Sequence, residues 1–555
     1  MTSSYHGIGL GGGIGIGRAR VLRAGLVDIP LHRFAPAQRD AEVARLHAAI
    51  DVVKADLQAV AAQLPADAPP EARALLDVHE IMLNDPTLGF GAQEKILDEG
   101  LNAQWAWSSQ IALLVDQFNH LDDEYLRARS RDVEQIGQRV LMRLTVSASH
   151  DYDSDGTGEV IVAHDLDPTD LLKWRAAEGF AIDLGGVNSH TAIVARSLQR
   201  PAAIGLGTAA EQISDGDLLI IDGESGALII NPDAAVLEGY KAKQIKASDQ
   251  AKLRQRLVGV KAVTLDGHTV RLQANIEIPS EAAAAAKLGA DGIGLFRSEF
   301  LFLDRAQLPD EQEQYEAYCT ALSAMPDQIV TIRTIDVGAD KALPQQRIDP
   351  PANPALGQRA IRFSLQHPDI FITQLRALLR ASACGNLRIL VPMMAHRFEV
   401  QACKALLQQA REQLTREGYA MADHVPLGAM IEVPAAAIEA DWFARELDFL
   451  SIGTNDLVQY TLAVDRTDHQ VARLYDSYHP AVLHLIQMTI DACAKHGKSL
   501  AVCGEMAGNP NSAELLVRMG LRQLSMQPQS LLAVKERLLQ TDLTQVKSTE
   551  AIAAQ

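Results

Sequence analysis

An α/β multidomain architecture is predicted: a mixed α/β body interrupted by an inserted helical bundle, then a linker helix, then a C-terminal (β/α)8 barrel. Three observations predict it. The hydrophobic period changes from short strands to steps of three and four at about residue 36, and returns to short strands at about residue 147. Residues 233–257 form one polar run rich in Lys, Gln and Ala, with no apolar stripe to face a core. From about residue 263 onward, apolar strands alternate with helices, as in a parallel sheet closed into a barrel.

A chain of 555 residues, 47% apolar and 22% charged, has ample capacity for more than one core. Its net charge of −19 argues against general nucleic-acid binding, because a phosphate backbone would be repelled. No stretch approaches the roughly 20 apolar residues of a membrane span, and the start, MTSSYHGIGLGGG, lacks the basic flank and apolar centre of a signal peptide. No membrane insertion and a cytoplasmic location are therefore expected. The cysteines at 319, 384, 403, 493 and 503 are odd in number, scattered and outside any CxxC spacing. Free thiols are the expectation.

Taken in order, GIGLGGGIGIGRARVL reads as a glycine-rich turn leading into an alternating strand. Its GxGxxG spacing lacks the preceding strand of a dinucleotide site and is tight-turn backbone. Val43, Leu46, Ile50, Val53, Leu57, Val60 and Leu64 then mark a helical seam, ended by Pro65, Pro69 and Pro70. Helices at 71–83, 88–118 and 121–146 complete the bundle. Between residues 38 and 146, 18 acidic residues face 10 Lys and Arg, which suits either a solvated surface or a docking face for a basic partner. Strands follow at 160–163, 180–184, 202–204, 217–222 and 227–231.

The stretch GGVNSHTAIVAR at 185–196 places His190 in the first turn of a helix capped by Ser189, behind a strand and two glycines. Unpaired backbone N–H groups and the positive end of the helix dipole favour an anion there, which makes the imidazole a candidate phosphoryl carrier. Gly185 and Gly186 leave room for a second large molecule to approach.

In the barrel, polar chemistry gathers at the carboxyl ends of the predicted strands, where barrel enzymes place their sites. IGLFRSEF supplies Arg297 and Glu299, VTIRTIDVGADK supplies Arg333, Asp336 and Lys341, and LGQRAIR supplies Arg359. GAMIEVP supplies Glu432, FLSIGTNDL supplies Asn455 and Asp456, AVDR supplies Arg466, and LAVCGE supplies Cys503 and Glu505. So many cations on one rim suit a small substrate bearing phosphate and carboxylate, which guanidinium forks bind in bidentate fashion. Glu432 and Asp456 suit a single Mg²⁺, which takes oxygen ligands and keeps waters. The Cys503 thiol is a candidate proton donor.

These stretches, together with LDDEYLRARSRDVEQIG at 121–137, TLDGH at 264–268 and AVCGEMAG at 501–508, are collinear motifs through which the chain resembles Enzyme I of the bacterial phosphoenolpyruvate-dependent phosphotransferase system. The resemblance covers nearly the whole chain. It implies a swivelling phosphohistidine domain (1–35 and 147–232), a helical phosphocarrier-binding domain (36–146), a linker helix (233–262) and a phosphoenolpyruvate-binding TIM barrel (263–555) that forms a homodimer contact. By the same resemblance His190 accepts the phosphoryl group, while Arg297, Arg333 and Arg466 grip the phosphate. Asn455 contacts phosphate and carboxylate, and Lys341 and Arg359 are further substrate-side cations. Glu432 and Asp456 hold Mg²⁺, and Cys503 protonates the enolate as pyruvate forms. The phosphoryl group then passes to a histidine on a small phosphocarrier protein. The acidic residues near His79 (Asp77, Glu80, Asp85) leave open whether that carrier serves sugar uptake or nitrogen regulation. Since His190 must meet the barrel rim and the carrier in turn, swivelling about 146–150 and 233–262 is expected.

Two other readings compete. An enzyme like phosphoenolpyruvate synthase or pyruvate phosphate dikinase needs an ATP-binding domain, and the first 146 residues show no GxxxxGK[ST] loop. A non-catalytic adaptor of the same fold has no use for His190, the arginines, both carboxylates and Cys503 together.

Overall fold

The computed structural model describes residues 2–10, 12–22, 31–63, 79–120, 130–145, 156–166, 174–184, 200–302, 307–337, 353–465, 471 and 474–545. The chain divides into two compact units, Met1–Gln250 and Ala251–Gln555.

The first unit is built on an eight-stranded mixed sheet of order β1-β8-β7-β3-β4-β5-β6-β2. Its strands are β1 (Ser3–His6), β2 (Ile8–Leu10), β3 (Ile14–Leu22), β4 (Glu159–Ala163), β5 (Gly179–Ile182), β6 (Ala202–Ile204), β7 (Leu218–Asp222) and β8 (Ala227–Ile230). The central run β3-β4-β5-β6 is parallel. Side chains alternate across a strand, so Ile161 and Ala163 enter one apolar cluster with Trp174 and Phe180, whereas Val160 and Val162 enter another with Leu219 and Leu228. Both faces are thus covered, which is why β4 to β6 read as unbroken apolar runs.

Among the described residues, four helices lie between β3 and β4 in the sequence: α1 (Pro36–Gln63), α2 (Pro86–Glu99), α3 (Ala103–Asn119) and α4 (Ser130–Thr145). They bury Leu46, Ile96, Trp107 and Ile136 in one core, and the Trp107 indole donates to the Gly137 carbonyl at 2.8 Å. The single helix expected over 88–118 is two. Gly100, at φ +70°, takes a left-handed cap and accommodates the break, and the buried Glu42 carboxylate then accepts from the Ala103 N–H at the start of α3 (2.8 Å). The polar run becomes α5 (Ala234–Gln255), shorter at its carboxyl end than the expected 233–262, and the division between the units falls inside it.

In the second unit, β9 (Arg271–Ile276), β10 (Gly292–Arg297), β11 (Ile329–Arg333), β12 (Asn386–Val391), β13 (Leu427–Ile431), β14 (Phe449–Ile452), β15 (Ser499–Val502) and β16 (Gln523–Met526) form a closed barrel. All its pairings are parallel, and β16 closes on β9 with Gln523 opposite Arg271. Helices α6 (Glu311–Ser323) and α7 (Pro368–Ala381) pack outside it. There the expectation of free thiols fails in part: Cys319 of α6 and Cys384 beyond α7 form a disulfide across a Cα separation of 5.6 Å. Their 65-residue separation hides the contact, which only helix packing creates. Cys403, Cys493 and Cys503 are free and buried. No helix among the described residues is long and apolar enough to cross a membrane.

Candidate active site

Parallel strands all end at one rim, so residues from distant motifs meet there. Arg297 is the last residue of β10 and Arg333 the last of β11. Glu432 follows β13, Asn455 and Asp456 lie in the first turn of α8 (Thr454–Leu462) after β14, and Cys503 follows β15. His190, with the whole 185–196 stretch, and Lys341 and Arg466 lie outside the described residues.

The guanidinium groups are held by carboxylates rather than left loose. Arg333, only 8% exposed, pairs through Nη2 with Glu299 and through Nη1 with Asp336 (3.1 Å). Arg359 donates to Asp336 at 3.0 Å, to Asp456 at 3.4 Å and to the Tyr460 hydroxyl at 3.1 Å. Arg297 pairs with Glu277 at 2.7 Å. Burial alone would depress Arg333 and Arg359, but the surrounding carboxylates outweigh it and raise both, so each is a fixed cation. Arg333 Nε and Glu299 Oε2 are buried with no hydrogen-bond partner among the described residues, leaving unused polar capacity in the site.

Glu432 is 1% exposed, and its Oε1 accepts from the Met393 N–H at 2.6 Å. Met393 has φ +59°, a conformation that a non-glycine side chain rarely adopts and that aims its N–H at the carboxylate. On the other side, a Cβ on Gly453 would stand 2.7 Å from Glu432 Oε2, so any side chain there would have to displace the carboxylate. Burial, then the neighbouring Asp456 and Asp336, push the Glu432 carboxyl up to about 8, against the pull of Arg333 and Arg359.

Four carboxyl groups (Glu299, Asp336, Glu432, Asp456) thus face two guanidinium groups (Arg333, Arg359); full ionisation would leave an excess of two negative charges among these six, which the raised Glu432 carboxyl relieves by keeping its proton. A divalent cation fits that excess, and the elevated Glu432 carboxyl marks where it is felt. No three His, Cys, Asp or Glu side chains among the described residues make a ready cage. Carboxylate oxygens as donors suit a hard ion that keeps waters and takes substrate oxygens.

Across the rim the surroundings turn apolar. Cys503 is 3% exposed and packs with Leu295, Leu390, Met430 and Phe449. Burial pushes its thiol up to about 11, so it is a protonated group suited to giving a proton rather than to acting as a standing nucleophile. Asn455 exchanges hydrogen bonds with Glu505, whose N–H donates to Asn455 Oδ1 at 2.8 Å.

Residues the sequence reading missed act mainly by holding others. Gln374 accepts from the Ile335 N–H (2.9 Å) and donates to Ser298, whose hydroxyl donates to the Arg333 carbonyl. Met393 contributes only its backbone, which no side-chain motif reveals. Glu299 and Asp336 were visible beside their arginines, but the ion pairing was not.

The sequence matches three family models: "PEP-utilising enzyme, N-terminal" over residues 6–129, "PEP-utilising enzyme, mobile domain" over 156–226 and "PEP-utilising enzyme, PEP-binding domain" over 251–543. It is 47% identical to the phosphoenolpyruvate-protein phosphotransferase of Cupriavidus necator, over 97% of this chain and 94% of that one. It is 41% identical to the protein of that name from Geobacillus stearothermophilus, over 98% and 95% of the two chains. With that of Bacillus subtilis it shares 38% identity over 96% and 93%.

Proposed function

The chain belongs to the phosphoenolpyruvate-protein phosphotransferases, and from that premise we propose that His190 takes the phosphoryl group of phosphoenolpyruvate and hands it to a histidine of a small phosphocarrier protein, releasing pyruvate. The observation that carries this reading is the rim itself. Buried fixed cations, a pair of close carboxylates and a protonated thiol end neighbouring strands of one barrel, which is the equipment for a phosphorylated carboxylic acid whose enolate must be quenched.

In this reading Arg297, Arg333 and Arg466 grip the phosphate, and Asn455 spans phosphate and carboxylate. Lys341 adds a substrate-side charge. Arg359, tied to Asp336 and Asp456, serves more to fix those carboxylates than to reach substrate. Glu432 and Asp456 would hold Mg²⁺, which when bound adds charge neutralisation at the phosphate oxygens. The neutral imidazole of His190 attacks phosphorus in line while the arginines spread their charge over the equatorial oxygens. The enolate leaves, and Cys503 gives it a proton.

The proposal extends to the domains: 1–35 with 147–232 carrying the histidine, 36–146 docking the carrier, 233–262 linking, and 263–555 binding substrate and pairing two copies of the chain. Incubation with labelled phosphoenolpyruvate and Mg²⁺, without nucleotide, tests the function. Acid-labile, base-stable protein label is expected, and label that appears only with ATP overturns the reading.

A further inference from the structure

The thiol of Cys503 poses a chemical problem that Arg333 and Arg297, which also favour its anion, do not remove, since burial still pushes the group up to about 11. Giving up its proton leaves a thiolate in a cup lined by Leu295, Leu390, Met430 and Phe449, and an unsolvated anion in such a place is costly. Among the described residues one side chain reaches the sulfur. The Ser451 hydroxyl, on β14 and fully buried, donates to Cys503 Sγ at 3.3 Å. The thiol in turn points to the Ile452 carbonyl, with Sγ 3.6 Å from that oxygen. The peptide carrying the thiol is also pinned: the Cys503 N–H donates to Ile452 O at 3.0 Å, and Asn275 of β9 donates to Cys503 O at 3.0 Å. Asn275 is fixed from behind by the Ser525 hydroxyl at 2.6 Å.

We propose that Ser451 is a positioning residue for the proton-delivery step, its hydroxyl holding the Cys503 sulfur in place and stabilising the thiolate left when the proton departs. This rests on the reading of Cys503 as the proton donor. The balance is simple. The π-electron pair of enolpyruvate forms a new C3–H bond with the thiol proton, the enolate oxygen becomes the C2 carbonyl, and the S–H electron pair remains on sulfur. Ser451 O–H, already directed at that sulfur, receives no proton and loses none. Water restores the thiol proton after pyruvate leaves. Burial raises the thiol, and the Ser451 hydrogen bond works against that rise. A hydrogen bond to a charged acceptor contributes enough to slow the step roughly 10- to 100-fold when removed.

The test uses the full-length protein and the variants Ser451→Ala, Ser451→Thr and Cys503→Ala. The S–H stretching band of Cys503 is isolated by infrared difference between the wild type and Cys503→Ala, without substrate. Ser451→Ala should shift that band and slow pyruvate release roughly 10- to 100-fold, with KM for phosphoenolpyruvate changed less than about 2-fold. It should also randomise the methyl group formed from stereospecifically deuterated phosphoenolpyruvate in tritiated water, because a loosely held donor lets solvent protonate either face. Ser451→Thr, which keeps the hydroxyl, should restore the band and the stereochemistry. An unmoved S–H band and unchanged stereochemistry in Ser451→Ala, with normal labelling by phosphoenolpyruvate, overturn the inference alone. Retention of stereochemistry in Cys503→Ala overturns the assignment of the proton donor and the inference with it. Failure of the wild type to take label overturns the functional reading beneath both.

Discussion

Replacing Glu432 by Gln should remove a pH dependence of stability from the metal-free barrel. Glu432 is buried against Asp456 and Asp336, and those surroundings carry its carboxyl from the ordinary 4.5 to about 8. Because the folded value lies above the unfolded one, the folded protein keeps a proton that the unfolded chain has released between those two pH values. The associated stability is complete below about 4.5 and is lost as the pH rises through about 8. At about 1.4 kcal/mol per pH unit, the full loss is roughly 5 kcal/mol, of which roughly 4 kcal/mol falls above pH 5. The assay is hydrogen exchange of the β13 and β14 peptides at rising guanidinium concentration in the presence of a chelator, which follows the barrel apart from the amino-terminal unit. Between pH 5 and pH 9 the wild type should lose roughly 4 kcal/mol more than Glu432→Gln, and added Mg²⁺ should flatten the wild-type slope because the ion replaces the proton. Slopes within about 1 kcal/mol of each other in chelator would refute the account of the buried carboxylates.

Three further outcomes follow from the same geometry. Arg333→Met leaves Glu299 buried without its cation, so it should cost about 3–5 kcal/mol of barrel stability by denaturant unfolding as well as abolishing turnover. Ala360, beside Arg359 and fully buried, is held at φ +53°, ψ −127°, so Ala360→Gly should gain about 1 kcal/mol by removing strain, and a loss of that size in calorimetry would contradict the strain assignment. Thiol titration of the unfolded, unreduced protein should find three free cysteines, and Cys384→Ser should cost about 2–4 kcal/mol through the 65-residue span that the bridge closes.

The barrel was legible because its signals are local. Each strand is a short apolar run, and Arg297, Arg333, Glu432 and Cys503 stand at the last residue of one or directly after it, so these four could be placed on one rim from order alone. What each side chain touches was not legible. Arg359 reads as a substrate-side cation or a structural one, and its bonds to Asp336 and Asp456 leave no mark in sequence, any more than the positive φ of the neighbouring Ala360 does. The same holds for the Met393 N–H on Glu432 and for the disulfide, where only the packing of α6 against α7 brings Cys319 to Cys384. In the bundle, Gly100 was the visible cue for dividing the 88–118 segment, and the apolar period on either side concealed it.

The central claim is that one histidine receives one phosphoryl group for each pyruvate released. Rapid mixing of the protein in excess over labelled phosphoenolpyruvate with Mg²⁺, and no carrier or nucleotide, measures both products in a single turnover. The account predicts pyruvate and acid-labile protein phosphate in equal amounts, with His190→Ala yielding neither. Pyruvate without protein phosphate, or phosphate retained by His190→Ala, would contradict it.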